Sequence, residues 1–104
     1  MKAVQTADLS SIDNYALVDL PAPQPGEGEI RIKVAACGVG FVDSLVALGR
    51  YQVKPPLPHV PGSEIGGLVD AVGPGVTGFT AGERVLAQVR GGFAEYAIAS
   101  ERAV

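Results

Sequence analysis

The sequence predicts a mainly β fold, a small barrel or sandwich of short strands with one short helix. Its 104 residues include 14 glycines and 8 prolines, which interrupt the chain too often for long helices. One segment, Glu29 to Ala36, alternates Ile30, Ile32 and Val34 with Arg31 and Lys33. This period of two is typical of a strand with one buried face.

Five other segments have the length and composition of strands, and each is bounded by Gly, Pro, Asp or Asn, which favour turns. In chain order the predicted strands are Lys2 to Thr6, Tyr15 to Leu20, Glu29 to Ala36, Ile65 to Val72, Arg84 to Val89 and Phe93 to Ala99.

The predicted helix runs from Asp43 to Leu48, about two turns. Asp43 would cap its start and Gly49 would end it. A loop from Tyr51 to Gly62 follows, and its four prolines exclude a regular helix and hold the backbone extended. A loop of this stiffness can present side chains to a cleft.

Composition limits the classes of function. Hydrophobic residues make up 47% of the chain and charged residues 18%, as in globular proteins, so we expect one folded domain over residues 1–104. The net charge of −3 and the scattered basic residues argue against a nucleic-acid partner. A single cysteine, Cys37, excludes an internal disulfide and a four-thiolate zinc site. Without a signal peptide or a run of about 20 apolar residues, we expect a cytoplasmic protein with no membrane partner.

The segment from Gly73 to Gly78 matches the G-x-G-x-x-G pattern of dinucleotide-binding loops. That function requires the last glycine to open a helix whose amides face the phosphates. Here the chain runs into another predicted strand instead. We therefore favour a glycine-rich turn between two strands over a phosphate site.

An ordered set of short motifs covers nearly the whole chain. The motifs are Ala36-Cys37-Gly38-Val39-Gly40-Phe41-Val42-Asp43, Gly49-Arg50-Tyr51, Pro61-Gly62-Ser63-Glu64-Ile65-Gly66-Gly67, Val72-Gly73, Gly82-Glu83-Arg84-Val85 and Gly91-Gly92-Phe93-Ala94-Glu95-Tyr96. In this order and spacing they resemble the catalytic, GroES-like domain of the medium-chain dehydrogenases/reductases, in the branch of the quinone oxidoreductases.

The resemblance implies a GroES-like, partly open β-barrel that in the complete enzyme is joined to a Rossmann domain, which this chain lacks. The implied activity is zinc-independent transfer of hydride from NADPH to a small-molecule quinone or enone. The chain alone would be inactive, because most of the NADPH site would be in the missing domain. The resemblance also allows a homodimer of the complete enzyme. In its isolated barrel we expect an exposed apolar face that favours self-association.

Zinc alcohol dehydrogenases of this superfamily carry a cysteine and a histidine ligand where this chain has Gly40 and Ser63. Glycine offers no side-chain ligand and a neutral serine is a poor one, whereas catalytic zinc needs three protein ligands. The four-cysteine lobe for structural zinc is also missing. We therefore predict no metal site.

By resemblance, Tyr51 lies in the substrate cleft, where its phenol would donate a hydrogen bond to a substrate carbonyl as a catalytic residue. The alternative role for Tyr51 is an aromatic plug at the base of the proline-rich loop. Gly40, Phe41 and Val42 align with positions that border the nicotinamide and its ribose. Leu45 aligns with a substrate-binding position that is Tyr in many quinone oxidoreductases, and Gly40 with one that is often Asn. This less polar floor would suit a bulkier or more apolar enone.

Four other reactive side chains have simpler explanations. We expect Cys37 to pack in the core rather than react, and His59 to be a surface or packing residue rather than a substrate contact. Asp43 and Glu64 match acidic family positions, and we predict helix capping and an internal ion pair for them.

A function of another class stays open, in which the barrel is a binding or scaffold module without catalysis. The longest loop is stiffened by proline, unlike the mobile docking loop of co-chaperonins, which argues against a co-chaperonin.

Overall fold

The computed structural model describes every residue from Met1 to Val104 and contains two antiparallel sheets. The smaller sheet pairs β1 (Lys2–Gln5) with β2 (Ala16–Asp19). The larger sheet contains β3 (Glu29–Cys37), β4 (Glu64–Val72), β5 (Arg84–Gln88) and β6 (Tyr96–Ser100), in the order β5-β4-β3-β6. The only α-helix is α1 (Phe41–Ala47), and Ile12–Asn14 and Glu101–Ala103 form single 3₁₀ turns.

The two sheets are joined through the residues that precede β6. Ala94 forms a bridge with Ala3, and the Val4 amide donates to the Phe93 carbonyl at 2.9 Å. Two register shifts in the β3–β4 ladder bend the larger sheet. The architecture agrees with the predicted one, mainly β with a single short helix.

The period-two pattern of β3 determines the position of the core. Ile30 and Ile32 are fully buried, whereas Arg31 and Lys33 lie on the opposite face of the sheet. On that face Arg31 forms an ion pair with Asp70 of β4 at 2.7 Å. The buried apolar cluster is small and rich in alanine and β-branched residues: Ile30, Ile32, Ile65, Val69, Ala87, Val89, Ala97 and Ala99.

Three predicted strands differ from the observed ones at their first residues, and for β4 the difference is a single residue, since it begins at Glu64 rather than Ile65. Phe93, the predicted start of the last strand, lies in a bend, where its carbonyl accepts a hydrogen bond from Val4 of β1, and β6 begins only at Tyr96. Tyr15, the predicted start of the second strand, instead follows the first 3₁₀ turn and donates its amide to Ile12. Pattern alone does not say which neighbour an extended segment will pair with.

The predicted cap of α1 is wrong in position. Gly40 is the N-cap and the helix begins at Phe41, two residues before Asp43. Asp43 is in the first turn, where its carboxylate accepts a hydrogen bond of 2.7 Å from the Gly40 amide. The carboxylate therefore stabilises the start of the helix from inside it. The internal ion pair predicted for Glu64 is also wrong, because the ion pairs of the molecule are Lys2–Asp19 and Arg31–Asp70.

The glycine-rich segment after β4 is a turn, as we favoured, and no helix follows it. Gly75 adopts a positive φ of 81°. Gly73 is needed for a different reason: a Cβ atom there would collide with the Gly26 carbonyl oxygen. The amides therefore do not form the helix N-terminus that a pyrophosphate needs.

Part of the surface is strongly apolar. Val39 is 79% exposed and Leu86 is 80% exposed. Leu86 lines a shallow groove on the outer face of the sheet with Ala36, Gly38 and Gly66, which agrees with the expected apolar face. None of the helices is both long enough and apolar enough to span a membrane.

Candidate functional site

A cleft of about 640 Å³ lies between α1 and the proline-rich loop. That volume is in the range of small-molecule sites. One wall is built by Val42, Asp43 and Val46 of α1. The rest of the lining is Tyr51, Val53, Lys54, Pro55, Pro56, Pro58, His59, Val60, Pro61, Gly62, Ser63, Val89, Arg90 and Gly91.

Tyr51 reaches this cleft because the chain reverses directly after α1. Gly49 adopts a positive φ of 69°, and a Cβ atom there would collide with the Leu9 carbonyl oxygen. The Arg50 amide then donates to the Leu45 carbonyl at 2.8 Å, which holds the exit of the helix. Tyr51 is half-buried, so part of the residue packs against protein while the rest stays accessible.

The structure brings Tyr51 and Val42 together but places the other predicted site residues outside the cleft lining. Gly40 and Phe41 are at the start of α1, next to Val42, and Phe41 is 76% exposed. Leu45 is half-buried and does not line the cleft. It is one helical turn from Phe41 and Val42, so these three side chains are neighbours on the helix surface.

His59 lines the same cleft as Tyr51. Its backbone forms two hydrogen bonds with Thr6, at 2.8 and 2.9 Å, which fix the loop to the end of β1. Burial lowers the pKa of His59, and the nearby Asp43 carboxylate opposes that shift. The imidazole is therefore neutral near pH 7 and is positioned at the wall of the cleft.

Cys37 lies outside this cleft and packs against the core, as expected. Burial raises the pKa of its thiol, and the negative charge of Asp43 raises it further. A thiol that keeps its proton is a weak nucleophile.

Lys54 and Arg90 were not singled out by the sequence reasoning, yet both line the cleft. Both are exposed, and neither forms an ion pair. They are 36 positions apart in the chain, so only the folded backbone brings them to one site. No local sequence pattern could have identified the pair.

The residues at the family's zinc positions do not fit a zinc ion. Ser63 lines the cleft and Gly40 is at the start of α1. No three side chains of His, Cys, Asp or Glu are grouped as a metal site would require.

Comparison with known proteins places this chain beside relatives that share one domain. Residues 26–104 match the alcohol dehydrogenase GroES-like domain. The chain is 40% identical to the quinone oxidoreductase of Lama guanicoe, over 100% of this chain and 32% of that protein. It thus spans about a third of the length of the curated relatives it matches.

Solved structures agree with this placement. The human synaptic vesicle membrane protein VAT-1 homolog-like protein superposes with a TM-score of 0.95 and 36% identity, over 99% of this chain and 33% of that chain. A mycobacterial protein complexed with NADPH superposes with a TM-score of 0.90 and 39% identity, over 99% of this chain and 32% of that chain.

Proposed function

This chain belongs to the family of alcohol dehydrogenase GroES-like domains, and on that basis we propose that residues 1–104 are the substrate-side domain of an NADPH-dependent quinone or enone oxidoreductase that works without zinc. The complete enzyme would add a Rossmann domain. Its substrate would enter the cleft between α1 and the proline-rich loop.

The observation that carries the proposal is the position of Tyr51. Of the three tyrosines in the chain, it alone lines the cleft. The walls around it are largely apolar side chains and prolines, which suit a flat, hydrophobic quinone or enone.

Tyr51 acts by hydrogen bonding rather than by covalent chemistry. Negative charge develops on the substrate carbonyl oxygen as the quinone or enone is reduced. A phenol fixed beside that oxygen donates a hydrogen bond that strengthens as the charge grows, which lowers the barrier. Backbone amides of the cleft or a water molecule would supply any further donor.

NADPH, when bound, supplies the hydride. Gly40, Phe41 and Val42 would border its nicotinamide. The fit is favourable in two respects: Gly40 has no side chain to obstruct the ring, and Phe41 and Val42 are 76% and 47% exposed, an apolar surface for a flat heterocycle. This chain offers no site for the phosphates of NADPH, because its only G-x-G-x-x-G segment is a turn between strands. The phosphates would therefore bind to the second domain, and the isolated chain would not catalyse the reduction.

Leu45 would contact the substrate from the α1 side. Leu45 is outside the cleft lining but one helical turn from Val42, which is part of it, so its contact would be made at the edge of the cleft beside Val42. With Leu45 and Gly40 both non-polar, this side would favour apolar enones over small polar quinones.

The test is NADPH oxidation with a panel of quinones and enones. We expect no turnover with the 104-residue chain, and turnover with the longer protein in which a dinucleotide-binding domain follows it. In that longer protein Tyr51→Phe should lower kcat/KM by about 100-fold, the typical effect of removing one donor to a developing oxyanion. Tyr96→Phe is the matched control, because Tyr96 is outside the cleft, beside Arg31.

Each alternative has a distinct result. Unchanged kinetics in Tyr51→Phe would assign Tyr51 to plugging the base of the loop. A longer protein that reduces none of the panel would favour the binding or scaffold module.

A further inference from the structure

The cleft carries a charge opposite to that of the whole chain. Its lining contains two cations, Lys54 and Arg90, and one carboxylate, Asp43. His59 adds no charge near neutral pH, because burial lowers its pKa. The lining therefore has a net charge of +1, whereas the chain has a net charge of −3. A positive cleft on a negative protein selects anions from solution.

The single carboxylate does not neutralise the two cations. Asp43 forms no ion pair with either of them, and its Oδ2 atom accepts the hydrogen bond of 2.7 Å from the Gly40 amide. The ion pairs of the molecule use Lys2 and Arg31, so Lys54 and Arg90 keep their full hydrogen-bonding capacity for a ligand.

Both cations are attached to backbone of restricted mobility. Lys54 directly precedes Pro55 and Pro56, which fix their own φ angles and restrict the residue before them. Arg90 follows Val89, whose amide donates to the Ser63 carbonyl at 2.9 Å. Two residues beyond Arg90, the Gly92 amide donates to the Gly62 carbonyl at 3.0 Å. These bonds tie the backbone around Arg90 to the far end of the loop that carries Lys54.

We propose that Lys54 and Arg90 bind an anionic group of the substrate, so that the substrate class is an acidic quinone or enone bearing a carboxylate, sulfonate or phosphate. A guanidinium can bind such a group through two parallel hydrogen bonds, and an ammonium adds a point charge. This inference rests on the proposed function and deepens it, because the same cleft would hold the carbonyl beside Tyr51.

The phosphates of NADPH are a second source of the same anionic chemistry. We assign the cations to the substrate because they line the cleft that contains Tyr51, whereas two of the three proposed nicotinamide contacts, Gly40 and Phe41, are outside its lining and only Val42, on the α1 wall, is part of it.

The test compares two ligands that differ only in charge, an anthraquinone sulfonate and its uncharged sulfonamide counterpart. Their binding to the 104-residue chain is followed by amide chemical shifts at low ionic strength. We expect the sulfonate to bind about tenfold more tightly, in line with one hydrogen bond between charged groups. Lys54→Gln and Arg90→Gln should each remove most of that preference, and added salt should weaken it.

Lys33→Gln and Arg84→Gln are the matched controls, because both residues are exposed, outside the cleft and free of ion pairs. They make the same change in net charge and should leave the preference intact. Amide spectra of all four variants report whether each keeps the parent fold.

Three results would overturn the inference. Equal affinity for the two ligands, unaffected by Lys54→Gln or Arg90→Gln, would show that the cleft does not select its ligand by charge. The proposed function would then still stand. Binding of adenosine bisphosphate that depends on both cations would assign them to the cofactor. Binding of neither anthraquinone would exclude an anion site in this cleft, while the proposed function would still be judged on turnover by the longer protein.

Discussion

Gly62 is packed directly against Cys37, so that a Cβ atom on Gly62 would come within 2.9 Å of the Cys37 Sγ atom. The same Cβ atom would come within 2.7 Å of the Phe93 ring and amide nitrogen. Gly62 also has a positive φ of 102°, which side chains rarely adopt. This glycine lets the last turn of the proline-rich loop close onto the end of β3 and the segment before β6, and so shapes one wall of the cleft.

We predict that Gly62→Ala is strongly destabilising. Backbone strain costs about 1–3 kcal/mol, and overpacking against Cys37 and Phe93 adds about 1–3 kcal/mol. Gly82→Ala separates the two effects, because Gly82 has a similar φ of 96° but no atom lies within 4 Å of the place that its Cβ atom would take. Denaturant unfolding should give a loss at least about 1 kcal/mol larger for Gly62→Ala. Equal losses would mean that the contact with Cys37 is easily relaxed.

Tyr15 supplies the second prediction, because its hydroxyl oxygen is buried without a hydrogen-bond partner. Burial raises the pKa of this phenol, and the Asp43 carboxylate raises it further. An unsatisfied buried hydroxyl costs about 1–3 kcal/mol. Tyr15→Phe should therefore raise the free energy of unfolding, by about 1 kcal/mol, whereas Tyr96→Phe on the outer face should leave it nearly unchanged. A loss of stability in Tyr15→Phe would show that the hydroxyl has a partner in solution.

The sequence predicted the strands well because their signal is local. The alternation of Ile30 and Ile32 with Arg31 and Lys33 indicates a strand with one buried face, whichever strands lie beside it in the sheet. The predicted start of α1 was wrong for an equally local reason. A polar side chain such as that of Asp43 is the usual sign of an N-cap, whereas here Gly40 is the N-cap and the Asp43 carboxylate accepts a hydrogen bond from its amide from within the helix.

The composition of the cleft was only partly predictable. Tyr51 was expected in the cleft because Gly49-Arg50-Tyr51 resembles a family motif. Lys54 and Arg90 were not expected, because their presence in one cleft depends on backbone bonds such as Val89 to Ser63 that join distant segments. Leu45 was expected at the site, but which side of a two-turn helix faces a cleft depends on how the following loop packs.

His59 gives a prediction for pH dependence. Its pKa is lowered in the folded chain mainly by burial, so the unfolded chain, with an ordinary value of about 6.5, takes up the proton first. The stabilisation from the neutral imidazole is thus fully present above about pH 6.5 and is lost as the pH falls through the folded pKa.

Denaturant unfolding between about pH 7 and pH 5.5 should therefore show stability falling with pH. His59 is the only histidine, and histidine is the side chain whose charge ordinarily changes in this range. His59→Gln should remove most of the slope. A slope that persists in His59→Gln would assign the effect to another group.

The apolar groove around Leu86 gives the last prediction. Leu86 is 80% exposed, and Val39, 79% exposed, directly follows Gly38 at the edge of the same groove. An exposed apolar surface of this kind favours association of the isolated chain with itself. Sedimentation over a range of concentrations should reveal self-association that Leu86→Gln and Val39→Gln weaken, together with binding of a hydrophobic dye. Leu17→Gln is the control, because Leu17 is 69% exposed but lies on the smaller sheet. A parent chain that stays monomeric and binds no dye would mean that these side chains do not form one continuous adhesive surface.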